Sequence, residues 1–253
     1  MAIRRTKIVC TLGPAVDSEA AVRELLEAGM NVARFNFSHG THDENRERIA
    51  RVRKVSRETG IPVALLLDTK GPEIRTGRIR DDAKFELAAG DRITITTEEV
   101  PGTRERVSIT YKQLPDEMPV GHHLYVADGL IDLEVEKIEG NDVHCIVRSG
   151  GTLGSRKNVN IPGIRVQLPA ITEKDRADIV FAIDERMDFI AASFIRKPGD
   201  VDQIQQILRE HESSIRVIAK IEDQEGLENI EEITRISDGV MVARGDLGVQ
   251  LAI

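Results

Sequence analysis

Polar residues that would be costly in an apolar setting gather at four points of this sequence. Two are Arg34-Phe35-Asn36-Phe37-Ser38-His39-Gly40 and Asp68-Thr69-Lys70-Gly71-Pro72-Glu73-Ile74-Arg75. The others are Lys220-Ile221-Glu222-Asp223 and Arg244-Gly245-Asp246-Leu247-Gly248. Glu222 and Asp246 offer carboxylate oxygens. A hard divalent cation such as Mg²⁺ takes one or two of these and fills its shell with water and substrate phosphate. Singly, each acid is as well read as a helix cap or an ion-pair partner. Lys220 favours the metal reading, because it stands two residues before Glu222 and so on the same face of a strand. A cation ending an apolar strand is expensive unless an anion meets it; a snorkelling lysine paired with Glu222 or Asp223 is the plainer alternative.

Arg34 interrupts Val32, Ala33 and Phe35 at an inward-facing position, as an anion-binding group or as half of a buried ion pair. Arg244 precedes a turn at Gly245 and Asp246 whose backbone N–H groups are placed to bind a carboxylate or phosphate. Asn36, Ser38, Asp68 and Thr69 supply oxygens with little excess negative charge, which suits a monovalent cation. His39 and Lys157 are each read either as phosphate contacts or as surface residues. Asp17, the charged second helix and Glu134, Glu136 and Glu139 read as solvated faces.

The elements that must position these groups follow from periodicity. Lys7 to Leu12, Asn31 to Phe37 and Ile61 to Leu67 read as strands. Between them lie a helix capped by Ser18 and stopped by Gly29, and a charged helix from His42 to Thr59 closed by Gly60. Between about Pro72 and Leu168 no convincing helix is predicted. Short strands at Arg92–Thr96, Arg106–Thr110, Leu124–Ala127, Leu130–Lys137 and Asp142–Val147 are separated by Gly- and Pro-containing turns, as expected of an inserted all-β domain. The α/β alternation resumes after Pro169. Helices are expected at Thr172–Glu185, Asp200–Glu210 and Gln224–Ile236, and strands at Phe189–Phe194, Arg216–Ile221 and Gly239–Ala243. The four polar clusters fall at strand C-termini, where parallel α/β proteins build their sites. An open sheet would spread strands two to six over roughly 19 Å at about 4.8 Å spacing, whereas a barrel gathers them round one mouth. A barrel is therefore favoured, and the absence of a G-x-G-x-x-G after the first strand disfavours a dinucleotide fold.

Composition excludes other classes. Net charge is −8 over 253 residues, which argues against a nucleic-acid backbone or an anionic membrane surface as main partner. Aromatics are 3% with no Trp, which removes a base-stacking surface. Cys10 and Cys145 have no partner spacing for a zinc site or disulfide framework. No stretch approaches a membrane span or signal-peptide core, so a cytoplasmic protein is expected.

Ile8-Val9-Cys10-Thr11-Leu12-Gly13-Pro14, the Arg34–Gly40 and Asp68–Arg75 runs, Lys220-Ile221-Glu222 and Ala243-Arg244-Gly245-Asp246-Leu247-Gly248, in this order and interrupted by an all-β insertion, closely resemble pyruvate kinase. The resemblance implies a TIM (β/α)₈ barrel with an inserted β-domain lid that transfers phosphate from phosphoenolpyruvate to ADP. Its parts would be 1–71 and 169–253 for the barrel and 72–168 for the lid. Arg34 would hold the phosphoryl group, and Lys220 would stabilise it in flight together with the enolate left behind. Glu222 and Asp246 would bind Mg²⁺ or Mn²⁺, and the Gly245 and Asp246 N–H groups the substrate carboxylate. Asn36, Ser38, Asp68 and Thr69 would form the K⁺ site, with Glu73 matching the K⁺-requiring branch. Asn36, His39, Arg75 and Lys157 would make up the nucleotide site. The family usually has Leu at Phe35, Asn at Asp223 and Gly at Asn158, and its tetramer is a further expectation. Two other readings are a truncated fragment that binds Mg²⁺ or phosphate without turnover, and a lyase or aldolase on the same barrel. The insertion and the Thr69-Lys70-Gly71-Pro72-Glu73 segment disfavour the lyase or aldolase. Set beside a usual barrel of about 250 residues, the length left after the insertion fits six of eight βα units. An open sixth-strand edge and an apolar Leu251-Ala252-Ile253 tail are then expected to invite pairing or aggregation.

Overall fold

Ser18 starts the first helix by accepting a hydrogen bond from the Ala21 N–H at 3.1 Å, and Gly29 ends it in the left-handed region at φ 108°. Thr41 and Glu44 form a reciprocal capping box on the second, and Thr172 and Asp175 on a later one. These local signals punctuate the chain in a computed structural model that describes residues 5–250.

In chain order, β1 (Ile8–Leu12), α1 (Glu19–Ala28), β2 (Met30–Asn36), α2 (His42–Thr59) and β3 (Ala64–Asp68) alternate. There follow β4 (Phe85–Leu87), β5 (Arg92–Thr96), β6 (Arg106–Ser108), the short α3 (Leu114–Glu117), β7 (His123–Val126), β8 (Ile131–Glu139), β9 (Asp142–Ser149), β10 (Gly151–Leu153) and β11 (Val159–Asn160). Alternation returns with α4 (Glu173–Asp184), β12 (Phe189–Ala192), α5 (Pro198–Glu210), β13 (Arg216–Ile221), α6 (Gln224–Glu228), α7 (Ile230–Ile236), β14 (Gly239–Val242) and α8 (Arg244–Gln250).

The chain divides into two compact units. The first comprises residues 1–72, 169–221 and 226–242. Its sheet is wholly parallel, in the order β1-β2-β3-β12-β13-β14. Val22 and Leu26 of α1, Ile49, Val52 and Val55 of α2 and Ile179 of α4 are buried with Ala33, Phe35 and Leu65 to Leu67 of the strands. Among the described residues β1 and β14 each pair on one side only, and Val9 and Val242 there are 47% and 57% exposed. The apolar tail at 251–253 lies outside the described residues.

The second unit comprises residues 73–168, 222–225 and 243–253. Its six-stranded sheet runs β11-β7-β8-β9-β5-β6, antiparallel except for the β5–β6 pair, and β10 pairs with β4 separately. Ile131, Leu133 and Val135 are buried and Asp132, Glu134 and Glu136 are not, as the alternation requires. A register shift between Val135 and Lys137 then breaks the pattern.

Several expectations are corrected. The strand predicted from Ile61 begins at Ala64, because Pro62 lacks the N–H a central strand needs. The strand predicted to Phe194 stops at Ala192, because Phe194 turns left-handed at φ 55°. The helix predicted over Gln224–Ile236 breaks at Asn229, whose side-chain amide donates instead to the Arg196 carbonyl at 2.8 Å. Within the segment read as helix-free, α3 and a 3₁₀ turn at Arg80–Asp82 form. β4, β10 and β11, of two or three residues each, are too short to show a period. No helix among the described residues is long and apolar enough to cross a membrane.

Candidate active site

β2 and β3 pair in register so that Asn36 stands opposite Asp68, and β12 and β13 continue the sheet. Side chains at the C-terminal ends of these neighbouring strands are therefore brought together. Asp68 is 1% exposed and Lys220 is 8% exposed. The Lys220 ammonium donates to Asp68 Oδ1 at 2.9 Å and to the Ser193 hydroxyl at 2.8 Å. Arg34 reaches the other carboxylate oxygen, donating from Nε to Oδ2 at 2.5 Å and pairing through Nη2 as well. Its Nη1 donates to the Thr11 hydroxyl at 2.6 Å. Two cations thus meet at one buried carboxylate. The guanidinium of Arg34 is a planar fork of the kind that suits an oxyanion.

Arg34 shares one face of β2 with Val32 and Asn36, whereas Ala33 and Phe35 are fully buried on the other. The Arg34 side chain keeps 27% exposure, enough to meet a ligand. Of the residues expected to supply oxygens, Asn36 and Asp68 are register partners in the sheet. Asn36 Oδ1 accepts from the Ser38 N–H at 2.9 Å. Ser193 donates its N–H to the Thr69 hydroxyl at 3.0 Å and its hydroxyl to the Thr69 carbonyl at 2.7 Å. His39 is exposed on the same loop, with its N–H on the Asn36 carbonyl at 3.4 Å.

Ser193 and the first turn of α4 were not singled out by sequence reasoning. Lys174 donates to the Phe37 carbonyl at 2.9 Å and to Asp178 at 2.6 Å. Asp178, 1% exposed, also meets His42 Nε2 at 2.7 Å, and the His42 ring stacks on Phe181 at 4.6 Å. Asp175, likewise 1% exposed, accepts the Gly71 N–H at 3.0 Å. One helix start therefore holds the loop after β2 and the loop after β3. The available signal was that both acids fall on the helix face that also carries the buried Ile179 and Ala182.

In the second unit, Arg75 donates to Glu73 at 2.8 Å and to the Arg156 carbonyl at 2.9 Å. The hydrogen bond to Glu73 raises the Arg75 pKa above its ordinary value, burial works against it, and the charges of Glu73 and Asp128 add to the rise. Lys157 is exposed one strand-pairing away, with its N–H on the Thr76 hydroxyl at 2.9 Å. Glu222, 2% exposed, follows directly on β13. Gly245 and Asp246 lie in the first turn of α8, which forms where sequence reading expected a turn. Among the described residues no group of three or more His, Cys, Asp or Glu is arranged to hold a metal.

Residues 3–253 match the family model for the pyruvate kinase barrel domain. The chain is 51% identical over 251 residues to pyruvate kinase of Staphylococcus aureus strain MRSA252, covering 98% of this chain and 43% of that protein. The same values hold for the enzyme of strain USA300. A crystal structure of a pyruvate kinase from Cryptosporidium parvum superposes with a TM-score of 0.93 at 41% identity, covering 98% of this chain and 52% of that one. The chain thus spans less than half the length of these curated relatives.

Proposed function

Since the chain belongs to the pyruvate kinase family, we propose that it carries phosphoryl transfer from phosphoenolpyruvate to ADP, giving pyruvate and ATP in glycolysis. The observation that supports this most is the convergence of Arg34 and Lys220 on Asp68 at neighbouring strand ends. On this reading the parallel unit is six strands of a (β/α)₈ barrel, into which residues 72–168 are inserted as an all-β domain.

Arg34 takes the phosphoryl oxygens of the substrate through the guanidinium edge that Asp68 and Thr11 orient. Lys220 sits where negative charge grows on the transferring group and on the enolate oxygen it leaves. Asp68 keeps both cations in place before substrate arrives, so little reorganisation accompanies the reaction. The bond from phosphorus to the enol oxygen breaks, a bond to the terminal oxygen of ADP forms, and the enolate then takes up a proton to give pyruvate. Arg75, Lys157, His39 and Asn36 are the groups assigned to the nucleotide side. The N–H groups of Gly245 and Asp246 take the substrate carboxylate.

The donor chemistry fits two kinds of cation. Glu222 and Asp246 supply the one or two carboxylates that Mg²⁺ or Mn²⁺ needs when substrate and water complete its shell. When bound, that ion neutralises charge on the enolate and phosphate oxygens. Asn36, Ser38, Asp68 and Thr69 would combine one carboxylate with neutral oxygens, a donor set suited to K⁺, with Glu73 as the matching residue of the K⁺-dependent branch.

Calorimetric titration of phosphoenolpyruvate in the presence of Mg²⁺ tests the assignment. Binding that Arg34→Ala weakens at least about tenfold supports it. Equal affinity of the two proteins would remove Arg34 from the phosphate site.

A further inference from the structure

Asn158 sits between two segments that matter to the nucleotide side. Its backbone forms a bridge with Arg75 on one side, and its carbonyl accepts the Ala127 N–H at 3.0 Å on the other. Its side chain closes a two-point bracket on Asp128. The Asn158 amide donates to Asp128 Oδ1 at 2.6 Å, and Asn158 Oδ1 accepts the Asp128 N–H at 2.9 Å.

The bracketed turn needs such a hold. Ala127, Asp128 and Gly129 are all left-handed, at φ 55°, 60° and 83°. Two of them carry a Cβ, for which that region is sparsely populated, so surrounding contacts must over-determine the conformation. Three of those contacts come from Asn158 alone. The result is an exposed carboxylate whose charge is felt at Arg75 but which forms no ion pair with it. Arg75 pairs with Glu73, and the Lys157 ammonium has no ion pair among the described residues.

We propose that Asn158 is a positioning residue for the nucleotide side of the site. It tethers the Asp128 turn so that its carboxylate does not collapse onto Arg75 and compete with a nucleoside diphosphate for it. The inference rests on the reading of Arg75 and Lys157 as phosphate contacts. The charge of Asp128 is already felt at Arg75, so release of the tether has a direct target.

The test titrates this chain with ADP by calorimetry and follows the Asp128 amide by hydrogen exchange. Asn158→Ala is expected to weaken ADP binding roughly fivefold, and adding Asp128→Asn to return it to within about twofold of the parent, because the competing charge is gone. The Asp128 amide should be protected in the parent and lose protection in Asn158→Ala. Unchanged ADP affinity in Asn158→Ala, or no recovery in the double variant, overturns the proposal. If the parent binds no ADP while its Asp128 amide shows the expected loss of protection, the phosphate-contact reading has failed and the proposal falls with it. If the amide is equally exchangeable in both proteins, the bracket itself is wrong.

Discussion

The Lys220 ammonium lies 2.9 Å from Asp68 Oδ1, and both residues are more than nine-tenths buried. A buried pair of this kind gains little net stability over an apolar isostere, yet removing one partner strands the other. Asp68→Ala removes the carboxylate that both Arg34 and Lys220 meet, and a loss of about 3–5 kcal/mol in denaturant unfolding is expected. Adding Lys220→Met should recover part of it, with a coupling of about 1–3 kcal/mol. Strict additivity would mean that the two groups are not energetically joined.

The start of α4 is the second place where a buried charge does structural service. Asp175 accepts from Gly71 and from the Thr172 backbone and hydroxyl. Asp175→Ala should cost about 2–4 kcal/mol, the sum of a lost cap and an unsatisfied buried N–H. Amide exchange at Gly71 checks the mechanism, since its protection should fall more than that of the α4 interior. Unchanged exchange at Gly71 would show the contact to be incidental.

Gly71 itself has φ +70°, and a Cβ there would stand 2.9 Å from Ser193 Cβ and from Phe194 Cδ2. Gly71→Ala therefore combines backbone strain with a clash against packed atoms. A destabilisation of about 1–3 kcal/mol in thermal melts is expected. A melt within about 1 °C of the parent would contradict it.

Most of the parallel unit was legible because caps and periods agree there. Ser18, Gly29, Thr41 and Gly60 bracket two helices whose limits match the pattern. Arg34 and Lys220 stood out as charges in apolar strands, whereas Asp68 read as an oxygen donor and not as the carboxylate that both cations meet. Residues whose role depends on a distant partner were not. Asp175 and Asp178 look like acids in the first two turns of any helix until Gly71 and His42 arrive from 104 and 136 residues away. Ser193 shows nothing in sequence, because its value lies in meeting Thr69 and Lys220 at once. Asn158 stood out only by comparison with the family, and its function needed the Asp128 turn to be seen.

Cys145 gives a pH prediction. Burial pushes its thiol up to about 12. The unfolded thiol ionises near its ordinary value of about 8.5, so the unfolded state loses its proton first. The stabilisation is therefore complete below about pH 8.5 and is lost as pH rises toward 12, by up to a few kcal/mol. Cys145→Ala should flatten the alkaline part of the stability profile in denaturant melts. A parallel profile for both proteins would contradict the burial assignment.

Lys220 is proposed as the cation that stabilises the phosphoryl group in flight. Its most direct test measures pyruvate formation from phosphoenolpyruvate and ADP, with Mg²⁺ and K⁺, in this chain and in Lys220→Met, beside calorimetric phosphoenolpyruvate binding in both. Pyruvate from the parent, a fall of about a thousandfold in Lys220→Met and binding largely kept are expected. No pyruvate from the parent, or a variant whose binding falls as far as its turnover, would contradict it.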